Sequence, residues 1–126
     1  MTRREAKRFD RCMDTIMELC QLGMEYYYVG YTSGSALHLE GGHKGWDHVV
    51  LLADRMKMKE ALDLEAAIHD GISDVDRRSA IWKLYHPEKK RYDKKRQMDR
   101  VTVRRNNGGH KPKGAVCSVY MMWLEA

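Results

Sequence analysis

A carboxylate on the apolar side of a helix is the first residue of this sequence whose position suggests chemistry. Across residues 58–69 apolar side chains recur at helical spacing, with Ala61, Leu62 and Ile68 near one face, and Glu65 falls on that face with them. An acid directed at a core is avoided unless it is paired, reaches solvent at the stripe's edge or holds a cation. Glu65 is therefore the first residue to suspect of chemistry, and an edge acid that reaches water is the plain structural alternative. The six histidines, His38, His43, His48, His69, His86 and His110, form no HxxxH pair on a helix and have no clustered cysteines, so they do not read as a zinc centre. Cys12, Cys20 and Cys117 are odd in number and lack CxxC spacing, which points to free, partly buried thiols. No glycine-rich loop ends in Lys-Ser/Thr, so an ATP-binding turn is not indicated. The nine methionines are scattered over core faces and read as packing.

A second chemical feature is the distribution of charge. The formal net charge is +5, yet residues 77–113 hold fourteen Lys/Arg against three acids (Glu88, Asp93, Asp99), which leaves −6 for the rest of the chain. Trp82, Tyr85, His86 and Tyr92 lie between those charges, so the segment offers phosphate neutralisation together with flat stacking surfaces. Its candidate nucleic-acid contacts are Lys89, Lys90, Arg91, Lys94, Lys95, Arg96, Arg104, Arg105, Asn106 and Asn107. A solvated basic face with no partner is the alternative.

These residues need a scaffold, and 126 residues with 43% apolar and 33% charged side chains suit one compact domain that can form a core without disulfides. No apolar run approaches the roughly 20 residues of a membrane-spanning helix. The basic N-terminus leads into an amphipathic pattern in place of a secretory signal, so a cytoplasmic location is expected. The chain divides into an N-terminal amphipathic helix (1–23) ended by Gly23 and a working part (24–126) that contains the basic segment 77–113. Residues 26–32 are aromatic and β-branched and stop at Ser33-Gly34-Ser35, so they predict a strand. A short helix over 36–40, a buried strand over 47–53 and a helix over 58–69 closed by Gly71 follow. After them come a helical turn over 79–83, a strand or loop edge over 101–103, a turn at Asn106-Asn107-Gly108-Gly109, and a strand of central type over 115–123.

Tyr28-Val29-Gly30-Tyr31, then Gly45-Trp46-Asp47-His48-Val49-Val50-Leu51-Leu52, then Lys59-Glu60-Ala61-Leu62-Asp63-Leu64-Glu65, taken in order, resemble the GIY-YIG nuclease superfamily. The matched stretch runs over about 26–72, and the Asn106-Gly109 turn is similar to one some members carry after the glutamate helix. The resemblance implies an α+β fold, a small mixed or antiparallel three-stranded sheet flanked by helices. It also implies a metal-dependent endonuclease that hydrolyses phosphodiester bonds in nucleic acid, DNA being the expected target. By match, Glu65 would hold one Mg²⁺ or Mn²⁺ and Tyr28 would be the tyrosine of the second half-motif. His38 stands where the family has an arginine, with His43 close behind, and either could contact phosphate or move a proton. The first half-motif is missing ahead of Tyr28, and Ser118-Val119-Tyr120-Met121-Met122 has its character, so a circular permutation would bring Tyr120 beside Tyr28 on an adjacent strand. A homodimer would let one site per chain cut both strands of a duplex, and a bacterial or phage-infected cell is the expected setting. The competing expectation is a catalytically inactive GIY-YIG-like protein that binds nucleic acid or inhibits a partner by contact.

Overall fold

A computed structural model of the chain describes residues 1–33, 46–85, 91–93, 98–100 and 116–126. His38, His43, Lys89, Lys90, Lys94, Lys95, Arg96, Arg104, Arg105, Asn106 and Asn107 lie outside these residues, as do the expected elements at 36–40, 101–103 and 106–109.

Helix α1 (Arg3–Leu19) begins with a capping box, in which the Thr2 hydroxyl accepts from the Glu5 N–H at 3.1 Å and the Glu5 carboxylate accepts from the Thr2 N–H at 3.4 Å. Its apolar positions recur every three or four residues, so Cys12 and Ile16 are buried on one side while the basic residues face water. A 3₁₀ turn (Cys20–Leu22) follows, and Gly23 at φ 86° ends it in the left-handed region that a side chain disfavours. Strand β1 (Met24–Ser33) and strand β2 (His48–Met56) come next, then helix α2 (Met58–Asp74) and the single-turn helix α3 (Ala80–Lys83), whose Ser79 hydroxyl accepts from the Trp82 N–H. Two short strands, β3 (Arg91–Asp93) and β4 (Met98–Arg100), form their own antiparallel ladder. The last strand, β5 (Cys117–Glu125), completes the main sheet.

That sheet is three-stranded and wholly antiparallel, in the order β1-β5-β2, so the expected α+β class is what the chain adopts. β1 and β2 are consecutive in sequence but not neighbours, because β5 lies between them and pairs with both. β5 is correspondingly apolar on both faces, with Cys117 through Met122 all buried. Tyr26, Tyr27, Val29, Val119, Met121 and Leu124 join Ile16, Ile68 and Ile72 in one core, each apolar side chain contributing ~1.5–3 kcal/mol of burial. The helices are tied to the sheet by specific contacts: Tyr27 Oη donates to the Ile81 carbonyl at 2.8 Å, and Cys12 Sγ donates to the Leu52 carbonyl at 3.6 Å. Burial pushes the Cys12 and Cys20 thiols up, to about 11 and about 12, so the free cysteines act as apolar filling and not as nucleophiles.

The sequence placed the end of the second long helix at Gly71, and here the structure differs, since α2 runs through Gly71 to Asp74. The missing side chain is used for packing: a Cβ on Gly71 would come within 2.9 Å of the Phe9 ring, so the glycine lets α1 and α2 approach. Gly23 works differently, through its dihedral angle, with open space around it. Gly23→Ala is expected to destabilise the fold by roughly 1 kcal/mol through backbone strain alone, read as a lower thermal midpoint with unchanged far-ultraviolet circular dichroism.

Candidate functional site

Two tyrosine hydroxyls meet where β1 and β5 run side by side, within the electrostatic reach of one carboxylate. In the register of that pair Gly30 faces Tyr120 and Tyr28 faces Met122, so Tyr28 and Tyr120 are diagonal neighbours on one face of the sheet. Their ring centroids are 6.1 Å apart at 39°, and their hydroxyls are hydrogen-bonded to each other. Gly30 is the residue between them. A Cβ there would lie 2.6 Å from Tyr28 Cε1 and 2.8 Å from the Tyr120 hydroxyl, distances no side chain tolerates, so the glycine of the Tyr-Val-Gly stretch is what lets both rings lie over the strand. Trp46 packs against the same group, its ring 6.3 Å from Tyr28 and 5.4 Å from Tyr26.

Glu65 enters from α2 and is 2% exposed, so the inward direction read from helical spacing is the direction it takes. Its negative charge acts on Tyr28, Tyr31 and Tyr120 together. For Tyr28, burial raises the pKa first and Glu65 second, while the hydrogen bond from Tyr120 opposes them, leaving it at about 12. Tyr120 is pushed up too, by burial first and then by the charge Tyr28 would carry. Tyr31 is raised too, by burial and then by Glu65.

His69 lies one turn beyond Glu65, its Nε2 3.9 Å from Glu65 Oε1. Nε2 is also 3.1 Å from the Val29 carbonyl, which can only accept, so Nε2 carries the proton and donates to it. Nδ1 then receives the Tyr85 hydroxyl at 2.7 Å, the two rings 5.7 Å apart. His69 thus fastens α2 to the backbone of β1 and to Tyr85, two residues past the end of α3, which fixes the height at which Glu65 sits against β1.

Neither a family model, nor a curated protein, nor a solved structure matches this chain. Among the described residues no group of three His, Cys, Asp or Glu side chains comes together, so a site of the zinc type is absent from them. A hard divalent cation asks for less, since Mg²⁺ is commonly bound through one or two carboxylates and completes its octahedron with water and phosphate oxygens. Glu65 beside the Tyr28 and Tyr120 hydroxyls presents oxygen atoms only, with a single carboxylate among them.

Of the residues expected at the site, the structure brings Tyr28, Tyr120 and Glu65 together, while His38 and His43 are outside the described residues. Arg91 is on β3, in the short ladder with β4. Sequence reasoning missed Tyr31, His69 and Tyr85. The signal for His69 was present, because a residue four after Glu65 must share its helix face.

Two outcomes follow. Gly30→Ala is expected to separate the Tyr28 and Tyr120 rings and destabilise the protein by about 1–3 kcal/mol of overpacking, measured by denaturant melts. Raised tyrosine pKa values also set a pH dependence: above about pH 10 the unfolded chain releases phenolic protons that the folded chain keeps, so stability is full below that pH and falls as pH rises toward the folded value of about 12 for Tyr28. Tyr28→Phe should flatten that alkaline slope by about one proton, which urea midpoints between pH 8 and 11 will read.

Proposed function

We propose that this protein is a metal-dependent endonuclease of the GIY-YIG type acting on nucleic acid, with DNA the first substrate to test. The observation that carries the reading is the hydrogen-bonded Tyr28–Tyr120 pair on adjacent strands, closed over Gly30 and set in the field of Glu65. Phosphodiester hydrolysis joins a water oxygen to phosphorus and breaks one bridging P–O bond, with the proton lost by water balanced by the one gained at the leaving oxygen. A Mg²⁺ or Mn²⁺ held by Glu65 would supply Lewis acidity for the phosphate and the leaving oxygen. The Tyr28 hydroxyl, at about 12, is protonated at neutral pH and serves to orient the attacking water. The Tyr120 hydroxyl, hydrogen-bonded to Tyr28, would hold that ring in place over Gly30. His38 and His43 are proposed as phosphate contacts, and residues 77–113 as the holder of the flanking backbone.

A second reading also has an observation behind it. Tyr28, Tyr120 and Glu65 are 7%, 5% and 2% exposed, an enclosure that suits a protein that binds nucleic acid without cutting it. Purified protein and Glu65→Gln, incubated with labelled DNA and RNA in Mg²⁺, Mn²⁺ or a chelator, separate the two readings. The nuclease reading requires cutting by the wild type, abolished by chelator and lowered at least about a hundredfold in Glu65→Gln, the scale on which removing one group that stabilises transition-state charge acts. Binding without cutting in every metal supports the second reading.

A further inference from the structure

The charges on α1 run against the helix. Its first nine residues hold Arg3, Arg4, Lys7, Arg8 and Arg11 against Glu5 and Asp10, whereas the remaining eight hold Asp14 and Glu18 and no base. A helix dipole favours the reverse arrangement, with acids at the start and bases at the end, so this pattern is not there to stabilise the helix. Nor is it used for internal pairing. Among the described residues only Arg8 of this group forms an ion pair, with Glu60 at 3.5 Å. Arg4, Lys7 and Arg11 recur at helical spacing on one side and are exposed.

A second, unrelated anomaly lies at the β2–α2 connection. Arg55, where β2 loses register with β5, is the one non-glycine described residue in the left-handed region, at φ 56°, and it is exposed. An arginine pays for that conformation with strain, which points to a use for its side chain. Two contacts tie the ends of this stretch, 53–59, to α1: Cys12 Sγ reaches the Leu52 carbonyl and Arg8 reaches Glu60. Arg55, Lys57 and Lys59 are all exposed within it, with Asp54 the one acid.

We infer that the basic half of α1 and the β2–α2 connection, Arg4, Lys7, Arg11 and Arg55 above all, form a second docking surface for a nucleic-acid phosphate backbone, separate from the basic segment 77–113. It rests on the nucleic-acid reading above and extends it. The contact is electrostatic and carries no sequence preference.

The test is fluorescence anisotropy of the full chain with labelled duplex DNA and single-stranded RNA over a series of salt concentrations. For the triple variant Arg4→Ala, Lys7→Ala, Arg11→Ala, affinity should fall at least about tenfold at low salt, and the slope of log affinity against log salt should shrink by about 2–3, at ~0.9 per lost phosphate contact. Arg55→Gly separates binding from folding, because glycine accepts the left-handed angle: its melting temperature should rise while its affinity falls. Wild type that binds, with both variants binding equally well and with the same salt slope, overturns this inference and leaves the proposed function standing. Wild type that binds anionic lipid vesicles through these residues and no nucleic acid overturns both.

Discussion

The pairing of β5 with β1 on one side and β2 on the other is the constraint from which the rest of the molecule follows. Neither outer strand touches the other, so the sheet exists only through β5. Its nearly continuous apolar sequence is the physical requirement of that place, since a central strand covered on both faces has no solvent side to dedicate to polar residues. The same pairing sets the register that puts Tyr120 opposite Gly30 and diagonal to Tyr28. A slip of one residue would turn Tyr120 to the other face and dissolve the site along with the core.

Helix α2 meets that sheet with an unusual buried face. Ala61, Leu64, Ile68 and Ile72 make the apolar stripe, and Glu65 and His69 interrupt it with two polar groups one turn apart. Polar groups in such a place demand partners, and His69 finds them in the Val29 carbonyl and the Tyr85 hydroxyl. The helix is therefore located by directional bonds as well as by packing. A hydrophobic face alone tolerates small rotations and slides, whereas a ring held at both nitrogens does not. The carboxylate one turn away inherits that precision, which is what a site acting on a single phosphate needs.

Much of this was legible in the sequence, for reasons that can be stated residue by residue. Glu65 was found because a charge inside a periodic apolar stripe is conspicuous, and the central character of β5 because residues 117–124 carry almost no polar side chain. The end of α2 was misjudged because Gly71 was read by its backbone freedom, while its actual use is the space it leaves for Phe9, a contact sixty-two residues distant in sequence. His69 was set aside with the other histidines because its partners, Val29 and Tyr85, lie forty and sixteen residues away. The charges of α1 were averaged into an acidic remainder, and only their arrangement on one exposed side of a helix makes them visible. Local rules thus located the elements, and long-range packing decided what the glycines and the buried histidine are for.

The order of strands also shapes how the chain must be made. β1 and β2 are synthesised first, and residues 57–116 must all be added before the strand that joins them begins to appear. During that interval two largely apolar strand segments emerge with open edges and no proper neighbour, the state in which strands pair with the wrong chain. Assembly is dominated by contacts between distant parts of the sequence, which makes it slow relative to a helical bundle of equal size. Production of this protein in quantity is therefore governed less by the strength of the finished fold than by how well the nascent chain is shielded until its final strand arrives.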